Sequence, residues 1–395
     1  MRLTDVVILD GARTAIGSFG GSLSSLSPAQ LGTFAAQAVV KRSGIKASDI
    51  DHAVFGHIIT TSPQDVYLAR HISLNIGMSQ ASTAFNVNRL CGSSIQSVIS
   101  AAQLIMVGDS SIALAGGAES MSQGAYLLAK ARKGLRIGDG LMVDLTMGIL
   151  SDPFGSGHMG ITAENVAAKF HYTRSDLDNF SVLSQQKASL AIAKGRFDEQ
   201  IVPIEVARER KKIVFSVDEH VRGDTSLKSL AALKPAFKED GFVTAGNSSG
   251  LNDGAAALVL TSASEARERG LKPRARCISY AFSGVAPELM GLGPIKAVNL
   301  ALIKAGLSIN DIDVIESNEA FAAQAMAVND ALSLPLDKVN PNGGAIALGH
   351  PVGATGCILI VKTLAELDRV DGRYGLITMC IGGGQGISLI VERLK

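Results

Sequence analysis

The chain has 395 residues, 47% hydrophobic and 18% charged, so it is too long for one ordinary core and too apolar for a disordered or fibrous protein. A formal net charge of +1 gives no electrostatic support for binding nucleic acid or an anionic membrane surface. Cys91, Cys277, Cys357 and Cys380 form no CxxC pair and no metal-ligand rhythm with the seven histidines, which argues against a metal site and for a reducing, cytoplasmic setting.

Val6-Val7-Ile8-Leu9 reads as a core strand and not as part of a leader. No apolar run approaches about 18 residues on this reading, so no membrane span is expected. Residues 38–54, AVVKRSGIKASDIDHAV, predict a helix stopped by Gly44, an acidic turn at Asp49-Ile50-Asp51 and a strand. The stretch VNRLCGSSIQSV (87–98) then places Cys91 just before a helix start. Two readings stay open there: a small buried hydrophobe, or a nucleophile whose thiolate is favoured by the positive helix end. A strand ending in glycine, IALAGGAES (112–120), follows.

Residues 121–250 differ in character. They carry charge runs (KARKGLR, RERKK) and irregular Gly/Ser/Pro segments such as SDPFGSGHMG, and read as an insertion that caps a site. Gly246-Asn247-Ser248-Ser249-Gly250 fits GxSxG, the pattern of a serine hydrolase. Ser248, however, is followed by a turn and a strand, LNDGAAALVL, and a nucleophile elbow needs strand, then turn, then helix. No GxxxxGK[ST] phosphate loop and no GxGxxG after a strand is present.

The first pattern then returns. Residues 297–315, AVNLALIKAGLSINDIDVI, overlie 38–54 at an offset of 262, with Gly306 on Gly44 and Asp311-Ile312-Asp313 on Asp49-Ile50-Asp51. A looser match sets Val339-Asn340 against Val87-Asn88, each leading into a Gly-rich turn, a helix and a strand ending in glycine. SNEAFAAQA (317–325) places polar Asn318 and Glu319 at a strand's carboxyl end, where open α/β sheets bind ligands; helix capping by Asn318 is the plainer reading. NPNGGAIALGHPVGATG (340–356) presents His350 on a Gly-rich turn before a helix. Cys357, on an apolar helix, reads as core packing. In TMCIGGGQG (378–386), Cys380 ends a strand and opens into Gly382-Gly383-Gly384, whose bare N–H groups are suited to an oxyanion.

The alternation of strands with long helices predicts an α/β fold of two similar halves, with parallel sheets covered on both faces. The expected units are 1–120 with 251–273, the inserted loop domain 121–250, and 274–395.

NRLCGSS, GGAESMS, HMGITAENVA, TAGNSSGLNDGAAA, NEAFAAQA, GHPVGATG and MCIGGGQG, in that order along the chain, resemble the signatures of the thiolases, most of all the short-chain, acetoacetyl-CoA type. The resemblance implies two βαβαβαββ halves layered α/β/α/β/α with an inserted loop domain. It implies a cytoplasmic homotetramer (a dimer of dimers), or a dimer, and a ping-pong acyltransferase needing no metal or redox cofactor. Two acetyl-CoA would condense reversibly to acetoacetyl-CoA plus CoA; the nearest alternative is a longer-chain 3-ketoacyl-CoA thiolase. A non-catalytic acyl-CoA-binding protein would lack a reactive group, and none is lacking.

By the same resemblance Cys91 carries the acyl group, His350 activates it and Cys380 moves the α-proton. Asn318 would hold a water at one oxyanion site, and the N–H groups of Cys91 and Gly382 would form the other. Coenzyme A contacts would fall on Leu150, His158, Met159, Arg222, Ser229, Leu233, Ala236, Phe237, Ala245, Gly246 and Ser249, with Ala320 and Phe321. Ser94 stands where the family has glycine, and its hydroxyl is expected to narrow the acyl site or adjust the helix start.

Overall fold

The computed structural model describes residues 2–208 and 211–394. Glu209 and Arg210, inside the RERKK run, lie outside them.

The first half runs β1 (Val6–Thr14), α1 (Pro28–Arg42), β2 (His52–Gly56), α2 (Leu68–Asn75), β3 (Thr83–Val87), α3 (Ser93–Val107) and β4 (Ile112–Ser120). A long excursion containing α4 (Met159–Phe170) and α5 (Arg174–Ala193) separates β4 from its partner β5 (Asn252–Ser262). The second half follows as β6 (Ala275–Gly284), α6 (Gly293–Ala305), β7 (Val314–Ser317), α7 (Ala322–Ala331), α8 (Thr355–Arg369), β8 (Tyr374–Ile381) and β9 (Gln385–Arg393).

Local chemistry sets these boundaries. Ser27 and Gln30 form a capping box at the start of α1, with Pro28 at the first helical position. Past the ends of α1 and α6, Gly44 (φ 69°) and Gly306 (φ 67°) turn the chain left-handed, and short 3-10 turns at Ala47–Asp49 and Ile309–Asp311 follow. The offset of 262 therefore holds in three dimensions. It also carries α3 onto α8, residue for residue at both ends.

The looser match holds in kind but not in register. Val339 makes only an isolated bridge to Ile315, the counterpart of the pairing of Ala53 with Ala84, so the third strand of the second half is reduced to one residue. The short helix Ala345–Leu348 occupies the added length before His350.

The halves join edge to edge. The strand order is β7-β8-β9-β6-β1-β5-β4-β2-β3, continuous through the pairing of Val7 with Arg276 and Ile8 with Ala275. Helices α3 and α8 lie between the two halves of this sheet, with α1 and α6 on the outer faces, which makes the five α/β/α/β/α layers. The expectation of parallel sheets is corrected. Among these nine strands only β3-β2-β4 and β7-β8 pair in parallel, because β5 and β9 each return antiparallel beside the preceding strand; the two-residue strand Ile201–Val202 adds one more parallel pair on β1.

One further expectation changes. Leu90–Val107 is long and apolar enough, by length and composition, to cross a membrane. In the fold it is the central helix of a core: Ile95, Val98, Ile99, Ala101, Ala102 and Ile105 are buried, and α3 packs on β2, β4 and α8.

Candidate active site

Cys91 sits on a tight turn before α3. Leu90 takes φ 46°, a left-handed conformation that costs a non-glycine residue about 1–3 kcal/mol. Ser93 Oγ holds the turn closed, accepting from Arg89 N (2.9 Å) and donating to Leu90 O (2.6 Å). Gly92 must be small, since a Cβ there would lie 2.6 Å from Ile381 Cδ1. Sequence, strained turn and second-half packing together fix the sulfur's position.

His350 arrives from the other half. Its backbone N–H donates to Asn252 Oδ1 (2.9 Å), and Nδ1 lies 2.7 Å from Thr355 Oγ1. The Thr355 hydroxyl donates to Pro351 O (3.0 Å), so it accepts from Nδ1–H, and Nε2 carries the lone pair. Asn318 Nδ2 points at that nitrogen from 3.4 Å, while Asn318 Oδ1 is buried with no hydrogen-bond partner among the described residues. Burial pulls the His350 pKa down to about 4, so the ring is a neutral base at pH 7.

Cys380 closes the site at the end of β8. It is 1% exposed, and burial followed by the neighbouring Cys91 sulfur pushes its thiol up. The Cys91 thiol is also raised, first by burial and additionally by the Glu119 carboxylate, against which the N–H groups of Gly382 and of Cys91 itself act. The expected lowering by the helix end does not appear. Cys91 precedes the cap residue Gly92, and loss of water outweighs the dipole. Both sulfurs therefore rest as thiols, and an activating base is required.

Cys91, His350, Cys380 and Gly382 line one small apolar pocket of about 60 Å³. Its walls include the expected Leu150, Met159, Ser249, Ala320 and Phe321, together with Ile58, Ile149, Met290 and Val352, which no local motif had marked. Asn318 touches the pocket only through His350. A second pocket of about 280 Å³ holds the expected Arg222, Ser229, Leu233, Ala245 and Gly246, with Gln185, His220, Asp224 and Thr225. The segment 244–249 serves both pockets, Gly246 facing one and Ser249 the other.

Three expected contacts line neither pocket. His158 Nδ1 accepts from Gly160 N (3.0 Å) to cap α4, and its ring stacks on Phe237 at 4.5 Å. Phe237 in turn meets Phe321 edge-on, and Ala236 N donates to Val243 O. These residues buttress the wall that carries Met159 and Phe321.

Two other readings are resolved. Ser94 is fully buried and turned away from the pocket: its Oγ accepts from Cys357 N (3.0 Å), tying α3 to α8, so it does not narrow that space. Ser248 Oγ donates to Thr244 O (2.7 Å), and the strand β5 follows it, so no nucleophile elbow exists there. Cys357 is core, as expected, with its Sγ against Ser94 O. Thr355 and Asn252 are the functional supports missed in the sequence. Both lie inside quoted motifs, but their bonds to His350 depend on tertiary approach.

The family model described as thiolase, N-terminal domain, matches residues 6–264, and thiolase, C-terminal domain, matches 271–393. The chain is 51% identical to beta-ketothiolase BktB of Cupriavidus necator over 391 residues, 99% of each chain. It is 47% identical to acetyl-CoA acetyltransferase of Escherichia coli over 396 residues, 100% of each. Among solved structures, human mitochondrial 3-ketoacyl-CoA thiolase superimposes with a TM-score of 0.98 at 40% identity, covering 99% of this chain and 100% of that one. The same human enzyme in complex with CoA gives 0.96 at 40% identity, covering 99% and 98%.

Proposed function

The chain belongs to the thiolase family, and from that premise we propose that it is an acyltransferase that joins two acetyl-CoA into acetoacetyl-CoA and CoA, or runs the reverse cleavage. The observation that carries this reading is the convergence of two thiols from opposite halves, with a neutral imidazole, on one pocket.

In the first half-reaction, His350 Nε2 takes the Cys91 proton, and the thiolate attacks the thioester carbonyl. The C–S bond to coenzyme A breaks, and the departing thiolate takes the proton of Cys380. Cys91 now carries the acetyl group, Cys380 is a thiolate and His350 an imidazolium. In the second, Cys380 removes the α-proton of a new acetyl-CoA. The resulting carbanion attacks the acyl-cysteine, a C–C bond forms, and Cys91 leaves to recover its proton from His350. Oxyanions would rest on the N–H groups of Cys91 and Gly382, and on the His350–Asn318 pair through a water. The steps use no metal or redox cofactor.

The larger pocket, lined in part by Arg222, suits the polar part of coenzyme A, and Ser249 and Phe321 suit the thioester end of its arm. About 60 Å³ of free space, room for about four waters, favours an acetyl over a long acyl chain. A broader 3-ketoacyl-CoA range is the second reading, favoured by the two flexible thioethers, Met159 and Met290, in the same wall. We place the enzyme in the cytoplasm as a homotetramer.

The test is isotope exchange. With acetyl-CoA and labelled CoA alone, label is expected in acetyl-CoA, and Cys91→Ser is expected to abolish it. Exchange that persists in Cys91→Ser would remove the acyl-cysteine from the mechanism.

A further inference from the structure

One buried charge cluster beside the pocket has no part in the steps above. His57, 8% exposed, directly follows β2, and Glu119, fully buried, is near the end of the adjacent β4. His57 Nδ1 lies 3.0 Å from Glu119 Oε1 and 3.0 Å from Ala118 O, and its Nε2 lies 3.6 Å from Asp65 Oδ2. Both neighbours of Nδ1 are acceptors, so that nitrogen carries a proton. Nε2 is buried without a hydrogen-bond partner among the described residues, but a neutral ring would turn its lone pair toward the Asp65 carboxylate, whose charge favours a proton there as well. Burial pulls such a ring down, but the Glu119 and Asp65 carboxylates outweigh it and raise the His57 pKa to about 10.

The cluster is placed to act on the nucleophile. A Cβ on Gly56 would touch Ser93 and Ser94, and one on Gly117 would touch Ser94, so β2 and β4 abut the start of α3 directly after Cys91. Glu119 also accepts from Ile58 N (3.2 Å) and Ile59 N (3.0 Å), and a Cβ on Gly353, three residues past His350, would lie 2.3 Å from its carboxylate. Ile58 and Val352 are pocket walls.

We propose that His57 is a positioning residue: a buried cation that cancels the charge of Glu119 beside Cys91 and thereby keeps the nucleophile's thiolate accessible near neutral pH. The other groups facing this region are accounted for. Asp65 is held by Thr61 and Ser62, and Asp253, next to Glu119's partner Gly254 on β5, is held by Ser122. Arg89 turns its guanidinium over the Phe282 ring, while His350 and Cys380 face Cys91 in the pocket.

The inference rests on Cys91 being the acyl carrier, but its test needs no thioester, so a failed exchange assay and a failed titration are separate results. In the full-length protein, the rate of Cys91 alkylation by iodoacetamide is followed against pH by peptide mapping. His57→Asn is expected to move the midpoint up by about half a unit or more, about a threefold rate loss at fixed pH on the acid limb. His57→Asn/Glu119→Gln is expected to return it to the wild-type value or below. Glu119→Gln alone is expected to lower it, and decides the matter should His57→Asn not fold. An unmoved midpoint in folded His57→Asn, or a midpoint in Glu119→Gln that stays or rises, overturns the proposal.

Discussion

The two halves of the molecule carry different groups at equivalent places. At the offset of 262, Cys91 corresponds to Gly353, Asn88 to His350, Ala118 to Cys380, and Gly56 to Asn318. Each half thus offers a turn before its buried helix and the ends of its parallel strands, and each position carries a group of the proposed mechanism in one half and a different residue in the other. Glycine opposite a reactive group has a steric cause. A Cβ on Gly353 would strike Glu119, and one on Gly56 would strike the start of α3. A duplicated scaffold builds an asymmetric site because the two halves face each other across α3 and α8, and only one set of side chains fits the space between.

The asymmetry can be broken from either side, and the first half should break hardest. Cys91→Ser is expected to lower turnover at least ~10⁴-fold and to leave no acyl-enzyme, measured by steady-state thiolysis and quenched mass analysis. Cys380→Ser in the second half is expected to leave acylation measurable but slower, for want of the proton given to departing coenzyme A, while condensation falls further, ~10²–10⁴-fold, measured as acetoacetyl-CoA formed per acyl-enzyme. Equal loss of both half-reactions in the two variants would dissolve the division of labour.

Smaller changes sharpen the comparison. Thr355→Val leaves His350 Nδ1–H without its acceptor, a buried loss of about 1–3 kcal/mol, so acylation is expected to slow by roughly tenfold or more, with little change in KM.

For pH, His57 in the folded protein titrates near 10, above its ordinary 6.5. Its contribution to stability is therefore complete below about pH 6.5 and is lost as pH rises through about 10. Urea melts are expected to show wild type losing more stability over that window than His57→Asn.

The smallest effect on catalysis is expected at Ser94. Ser94→Gly leaves the buried Cys357 N–H without its acceptor, a stability loss of about 1–3 kcal/mol, and leaves the acyl-chain preference unchanged, as thermal melts and a substrate series would report.

Much of this was legible in the sequence because it is written locally. Gly44 and Gly306 stop helices through their own φ, and the offset between them is visible without coordinates. Cys91, His350, Cys380 and Gly382 stand in short motifs, and the fold brings them to one pocket. What failed to show depends on approach between distant segments. Alternating helices and strands suggested parallel sheets, but the antiparallel return of β5 and β9 depends on which neighbour each strand meets. Ser94 sits three residues after Cys91, yet its direction is set by Cys357, 263 positions away. The thiol of Cys91 looked activated by a helix end, whereas burial, a property of the whole fold, raises it. His57 and Glu119 have no shared motif, and their contact exists only because β2 and β4 are neighbours in the sheet.

Peptide mapping after brief incubation with acetyl-CoA tests the convergence of the two sulfurs most directly. In both wild type and Cys380→Ser, the acetyl group is expected on Cys91 alone, discharged by added CoA. Acetyl found on Cys380, or on no cysteine while product still forms, would contradict a site in which one half holds the acyl group and the other moves the proton.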